Sequence, residues 1–258
     1  MLGHQTNQTQ CKNLNQNVSQ FVYGGYTYAS TYMVKDMRYP FLKATGYVRD
    51  PATNRALVDR TSGYPLQTPG LIDFGGTLPR HIVGTGSRIG YKNFEFAFNF
   101  EYRGGNYVFH QLGRDMTFTG AGKWTEDRTP HIFPNSAYDD GTGKIVENTN
   151  VQVRESEYAL WVDYYRFISE NFVTPGWFIK LRDVNLSYRF SENLVRKTKV
   201  FSGATLALFG RNLFTIVDKS NYYTDPEFSY TTGNGIGINN SLQTPPVRQY
   251  GINLNVNF

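Results

Sequence analysis

Four histidines, one cysteine and a scatter of loop carboxylates are the residues of this sequence with the chemistry of a reactive site. His4, His81, His110 and His131 stand far apart, and none falls in a metal-ligand spacing such as HExxH. Cys11 is the only cysteine, which excludes a cysteine zinc site and an internal disulfide. The glycine-flanked serine of hydrolase nucleophile turns is absent. Gly141-Thr142-Gly143-Lys144 shares part of a phosphate-loop pattern but lacks its spacing, so a turn is expected there. Asp139, Asp140, Asp225 and Glu227 carry oxygens suited to a hard cation such as calcium, with solvated loop carboxylates as the plainer reading. No catalytic residue, no cofactor and no metal are expected, and the chain does not read as an enzyme. Four glycosylation-type triplets begin at Asn7, Asn17, Asn185 and Asn239.

A second set of residues has binding rather than reactive chemistry. Tyr102, Tyr107, Phe109, Trp124, Phe133, Tyr138, Tyr222, Tyr223 and Tyr230 lie in or beside long polar stretches. Such rings stack on sugar faces or pack on peptides, and the competing reading is that they pack the loops together. Phe, Tyr and Trp make up 16% of the chain, while mean hydropathy is negative. That combination suits β-structure with one greasy face, one wet face and polar loops. The net charge of +5 is mild and the basic residues are dispersed, so nucleic acid is not an indicated partner.

The elements that position these residues are strands. From Arg248 the chain reads RQYGINLNVNF, which places Tyr250, Ile252, Leu254, Val256 and Phe258 on one face. The other face is polar except at Gly251, and the length matches a tilted strand crossing a bilayer. Phe94 to Tyr102 sets five aromatics against Glu95, Ala97, Asn99 and Glu101. Lys92-Asn93 before it reads as a tight turn back to a glycine-rich strand over His81 to Tyr91. Trp177 to Phe190 alternates with a phase slip near Lys180 to Asp183, where a bulge is expected. Val200 to Phe214 holds another strand, centred on Thr205 to Phe209. Phe21 to Met33 is a candidate sixth strand, and Pro40 to Pro69 reads as a loop.

Connections alternate short (Lys92-Asn93, Ser191 to Lys199) and long (Arg103 to Gly176, Ile216 to Val247), as in outer-membrane barrels. Short turns belong on the periplasmic side, so the last strand runs inward and leaves Phe258 at the periplasmic edge. By resemblance to outer-membrane barrels generally, that terminal aromatic would be read by the barrel-assembly machinery, and its plainer reading is a membrane-interface aromatic. No stretch approaches about 18 apolar residues, so no membrane-spanning helix is expected. The fold class predicted is all-β: an antiparallel transmembrane β-barrel segment with long extracellular loops. Five or six strands cannot close alone. The polar N-terminus also lacks an export signal, so the chain is expected to be a piece of a longer protein.

Several segments resemble the late barrel of SusC/RagA-type TonB-dependent transporters. They are Gly46-Tyr47-Val48-Arg49-Asp50, Gly63-Tyr64-Pro65-Leu66, Leu78-Pro79-Arg80 and the run from Phe178 to Tyr188. Gly210-Arg211-Asn212-Leu213-Phe214-Thr215, Tyr223-Thr224-Asp225-Pro226-Glu227 and the asparagine-rich last strand follow in order. The resemblance implies a barrel of about 22 strands with an N-terminal plug. Residues 1–258 would then be the C-terminal part of the barrel domain, without the plug and the earlier strands. It further implies import of oligosaccharides or peptides across the outer membrane of a Bacteroidota-like Gram-negative cell. Partners implied are outer-membrane lipid, a SusD-like surface lipoprotein acting as lid, a glycan or peptide substrate, and TonB through parts absent from this chain. Two other readings remain open at this stage. One is a soluble or surface β-protein that binds carbohydrate through exposed aromatics. The other is a small complete barrel, which needs two further strands before Arg80.

Overall fold

The computed structural model describes residues 1–126, 128–153, 157–230, 233–242, 244 and 246–258. Its strands are β1 (Leu2–Thr6), β2 (Gln20–Tyr26), β3 (Ala29–Val34), β4 (Phe41–Tyr47), β5 (Ala56–Leu57) and β6 (Gln67–Gly76). Then come β7 (His81–Tyr91), β8 (Phe94–Gly104), β9 (Tyr107–His110), β10 (Ser136–Asp139), β11 (Ile145–Glu147) and β12 (Val173–Pro175). The last are β13 (Phe178–Arg189), β14 (Gly203–Arg211), β15 (Thr215–Val217), β16 (Ile238–Asn239) and β17 (Gln249–Asn257). One helix of more than two turns, α1 (Gln111–Thr119), follows β9. No helix among the described residues is long and apolar enough to cross a membrane.

A wall forms from strands in the order β1-β7-β8-β13-β14-β17, with every neighbouring pair antiparallel. β7 and β8 pair along their full length from Tyr91↔Phe94 to His81↔Gly104. A two-residue turn joins them, and Lys92 takes φ 52°. Primed hairpin turns need such a positive φ to follow the twist of the strands. The expected bulge is present, because the register of β13 against β8 slips between Leu181 and Asp183 and leaves Arg182 as the extra residue. β14 breaks beside it: Asn212 adopts φ 51°, a left-handed value that Asn tolerates. β15 then resumes the pairing with β13 at Phe178–Lys180.

All long connections leave the wall at one end and both short turns lie at the other. The first end holds Thr6, His81, Gly104, Phe178, Arg211 and Gln249. The second holds Lys92-Asn93 and the connector after Arg189, with Phe258 beside it. The loop asymmetry read from sequence therefore follows the topology.

The connections themselves differ from expectation. Phe21 to Met33 is not one strand but the β2–β3 hairpin, turning at Thr27-Tyr28. Pro40 to Pro69 is not simply loop, since β4 occupies its start and pairs with β3 and β6. β4 is buried on both faces at Phe41, Leu42, Ala44 and Thr45. A strand covered on both sides carries no two-residue alternation to detect. The sixth wall strand is Leu2–Thr6, which has no apolar face and owes its place to pairing with β7.

Arg103 to Gly176 and Ile216 to Val247 fold into an outer layer rather than free loops. One cluster joins Ala29, Leu42, Ala44, Phe109, Phe172 and Ile238, and another joins Ala56, Val58, Tyr64, Phe133, Val153 and Leu160. Both lie in this layer. The wall is one sheet thick with its apolar face uncovered, and a sheet buries such a face only against another layer or lipid.

Candidate functional site

The register divides the wall into two chemically distinct faces. Ile89, Phe96, Leu186, Leu208 and Ile252 lie side by side across five strands. Down β8, the rings of Phe96, Phe98 and Phe100 follow one another at 5.7 Å spacings, tilted and then edge-on, and Phe100 meets Phe214 at 5.8 Å. The opposite face carries Arg88, Glu95, Glu101, Arg103, Lys180, Asp183, Arg189 and Arg211 by the same alternation. Arg182 joins them, because the bulge turns a residue that would otherwise point outward onto the charged face. Gly251, the non-polar exception on this face of the last strand, is explained by its neighbour Phe209: a Cβ at 251 would lie 2.7 Å from that ring.

At the outer end of the charged face six side chains form a closed ion network. Lys180 Nζ contacts Asp225 Oδ2 and Glu227 Oε2, each at 2.5 Å. Arg182 donates through both terminal nitrogens to Glu227, at 2.8 and 2.6 Å, and through Nε to Glu101 at 2.8 Å. Arg103 pairs with Glu101 and reaches Glu227 at 3.3 Å. The Lys180 and Asp225 side chains are only 4% and 6% exposed, so their mutual pairing is what makes their burial tolerable. Burial pushes the Glu227 carboxyl up, but the bonds from Arg182 and Lys180 outweigh it and pull it down to about 2. Its contribution is complete above its ordinary value of 4.5 and is lost as pH falls from there toward about 2.

This network pins the segment around Asp225 onto the wall. Two residues earlier, Tyr223 enters the outer layer. Its hydroxyl donates to the Asn171 carbonyl at 2.9 Å, and its ring meets His110, Trp124 and Phe172. His110 is fully buried; Asn239 Nδ2 donates to its Nδ1 at 3.3 Å, and Nε2 faces Thr174 Oγ1 at 2.8 Å. Desolvation lowers His110 from 6.5 to about 3. The unfolded chain therefore takes up a proton that the folded one refuses, and stability falls as pH drops through 6.5 toward about 3. Trypsin cleavage within residues 111–128 is expected to accelerate between pH 6.5 and about 5, where ordinary carboxylates stay ionised. His110→Gln is expected to flatten that pH dependence.

Two concave features adjoin these groups. A groove of about 590 Å³ on the charged face is floored by Gly3, Gly84 and Gly86 and flanked by Asn99, Glu101, Arg103 and Arg182. A pocket of about 390 Å³ in the outer layer is lined by Tyr47, Arg49, His131, Phe133, Trp161 and Tyr165. Arg49 is held by Glu170 at 2.6 Å, and Trp161 Nε1 is buried with no partner among the described residues. Trp161 stands on a π-helical turn, Leu160–Tyr164, a distortion often found at functional sites.

The residues singled out from sequence are distributed unevenly over these features. Asp225 and Glu227, weighed as cation ligands and read more plainly as solvated loop carboxylates, are held by Lys180 and Arg182 instead. Asp139 and Asp140 accept backbone bonds from Gly141, Thr142 and Gly143, so Gly141 to Lys144 is the turn between β10 and β11. His4 and His81 meet each other, with Nε2 of one 3.4 Å from Nδ1 of the other. No group of three or more potential metal ligands occurs among the described residues. Of the loop aromatics, Phe109, Phe133, Trp124 and Tyr223 pack the outer layer, whereas Tyr222 and Tyr230 are exposed. Glu101, Arg103, Lys180 and Arg182 were not singled out. The signal available was a set of charges on one face astride the phase slip.

Comparison with known proteins adds to this geometry. No family model matches the chain. It is 26% identical over 206 residues to TonB-dependent receptor P26 of Formosa agariphila, a match covering 75% of this chain and 18% of that protein. TonB-dependent receptor P39 of the same organism is 24% identical over 204 residues, covering 78% of this chain and 18% of the relative. Among solved structures, the RagAB peptide transporter superposes with a TM-score of 0.64 at 14% identity, over 99% of this chain and 26% of that one. The RagAB peptide importer in its open-open state gives 0.57 at 16% identity, over 96% and 25%. The chain thus spans about a fifth to a quarter of the proteins it matches. These relatives are receptors and transporters rather than enzymes. In sequence the chain is similar to TonB-dependent receptors and in fold to part of the RagAB transporter, in keeping with the SusC/RagA-type resemblance of its motifs.

Proposed function

We propose that this chain forms part of the wall and outer cap of a TonB-dependent importer in the outer membrane. The reading takes residues 1–258 as the C-terminal part of the barrel domain, with plug and remaining strands supplied by a longer protein. One observation carries it: every charged side chain of the five long wall strands lies on one face, and the other face is aromatic and aliphatic apart from His81, Thr85 and Ser87 of β7 and two glycines, Gly104 and Gly210. Lipid against the apolar face and a wet lumen against the charged one would make that division stable. The cargo is a peptide or an oligosaccharide, and the aromatic pocket at Trp161 and the glycine-floored groove are the concave surfaces it would meet. A SusD-like lipoprotein would cover the outer layer, and TonB would act through the plug.

Membrane fractionation tests the reading. The protein is expected to stay in the outer-membrane fraction after alkaline washing and to leave it only with detergent. A folded, monomeric chain that is soluble without detergent would overturn the proposal and favour a surface β-protein that binds carbohydrate.

A further inference from the structure

The short-turn end of the wall carries a chemistry that the import reading does not use. Between β13 and β14 the chain makes a helical turn over Glu192–Val195 and a tighter one over Arg196–Thr198. The connector is anchored: Val195 is buried, and Thr198 Oγ1 donates to its carbonyl at 2.7 Å while accepting from the backbone of Phe201 at 3.2 Å. Anchored in this way, it displays Leu194 and Val200 to the outside, 51% and 59% exposed. Rings cluster at the same end, with Phe94 against Tyr188 at 4.7 Å and Phe201 against Phe258 at 5.2 Å.

Cations share this end of the wall with these apolar groups. Arg196, Lys197 and Lys199 stand on the connector, and Lys92 on the neighbouring turn lies 5.3 Å over the Tyr91 ring. Glu192 is the single carboxylate on the two turns, paired with Arg196 at 3.3 Å. Lys92, Lys197 and Lys199 form no ion pair among the described residues. The outer end of the wall is different, because its cations are matched by Glu101, Asp225 and Glu227. Unmatched lysines beside exposed apolar side chains have the make-up of an interfacial lipid contact, the stems lying in the apolar zone and the ammonium groups reaching phosphates.

We propose that this rim binds anionic phospholipid, with Lys92, Lys197 and Lys199 on the headgroup phosphates and Leu194, Val200 and Phe258 in the acyl boundary. The proposal rests on the membrane reading above, because it needs this end of the wall to meet a leaflet surface. Charge complementarity selects the occupant: a zwitterionic headgroup offsets its phosphate with its own amine, whereas an anionic one does not.

Flotation of the full chain with two kinds of vesicle tests it. One kind is phosphatidylcholine alone and the other phosphatidylcholine with phosphatidylglycerol. Association is expected to be at least about tenfold tighter with the anionic vesicles. In the variant K92Q/K197Q/K199Q the preference is expected to fall below about threefold, while K12Q/K35Q, at exposed lysines elsewhere, keeps it. Equal association of the unaltered chain with both vesicles overturns this proposal and leaves the membrane reading standing. A preference that survives in the triple variant also overturns it. Failure to float with either vesicle overturns both readings.

Discussion

Phe98→Arg is expected to destabilise the membrane-embedded protein by about 2–4 kcal/mol, whereas Asn99→Arg, one residue on, costs at most about 1 kcal/mol. Phe98 stands mid-strand in β8, between Phe96 and Phe100 and opposite Val184. A guanidinium there must lie in hydrocarbon near the bilayer midplane or distort the bilayer to reach water. Asn99 faces the charged side, opposite Asp183, so an arginine at 99 finds both water and a carboxylate. Denaturant unfolding from vesicles, following the fraction that stays folded, compares the pair. Equal costs at the two positions would show that the faces are not lipid and lumen.

The second large effect belongs to the ion network. Lys180→Met keeps most of the side-chain stem but leaves Asp225 buried without its cation, and is expected to cost about 3–5 kcal/mol. The loss should be local. The segment near Asp225 loses its hold on the wall, and Tyr223, inserted among His110, Trp124 and Phe172, is left as its main anchor. Limited proteolysis between residues 218 and 230 is therefore expected to speed up before the wall itself unfolds. Combining Lys180→Met with Asp225→Asn should recover part of the loss, since the unpaired charge leaves with its partner. If the double variant is as unstable as the sum of the two single ones, the pair does not act as a unit. In the unaltered protein the same segment should loosen as pH falls below 4.5 toward about 2, the window in which Glu227 takes up its proton.

The wall was legible because strands that face two solvents write their geometry into the sequence. His81 to Tyr91, Phe94 to Tyr102 and the last strand carry their apolar residues two apart, and a side-chain period of two is the mark of a strand with unlike faces. The bulge was legible for the same reason, as a slip of that period around Arg182. β4 was not, because both its faces are covered, and β1 was not, because its place depends on a partner strand far along the chain. Phe109, Trp124, Phe133 and Tyr223 pack the outer layer, but no spacing distinguished buried Phe109 from exposed Tyr222.

By itself the sequence determined which residues share a face, where the tight turn falls, and that the wall has one greasy and one wet side. These are properties of local backbone geometry, repeated every two residues. Only the tertiary structure decided that Tyr223-Thr224-Asp225-Pro226-Glu227 closes onto Lys180 and Arg182, and that the long connections pack into a layer with cores of their own. Such contacts join segments more than forty residues apart. They depend on loop closure and on opposite charges meeting in a buried place, and neither leaves a periodic trace in the chain.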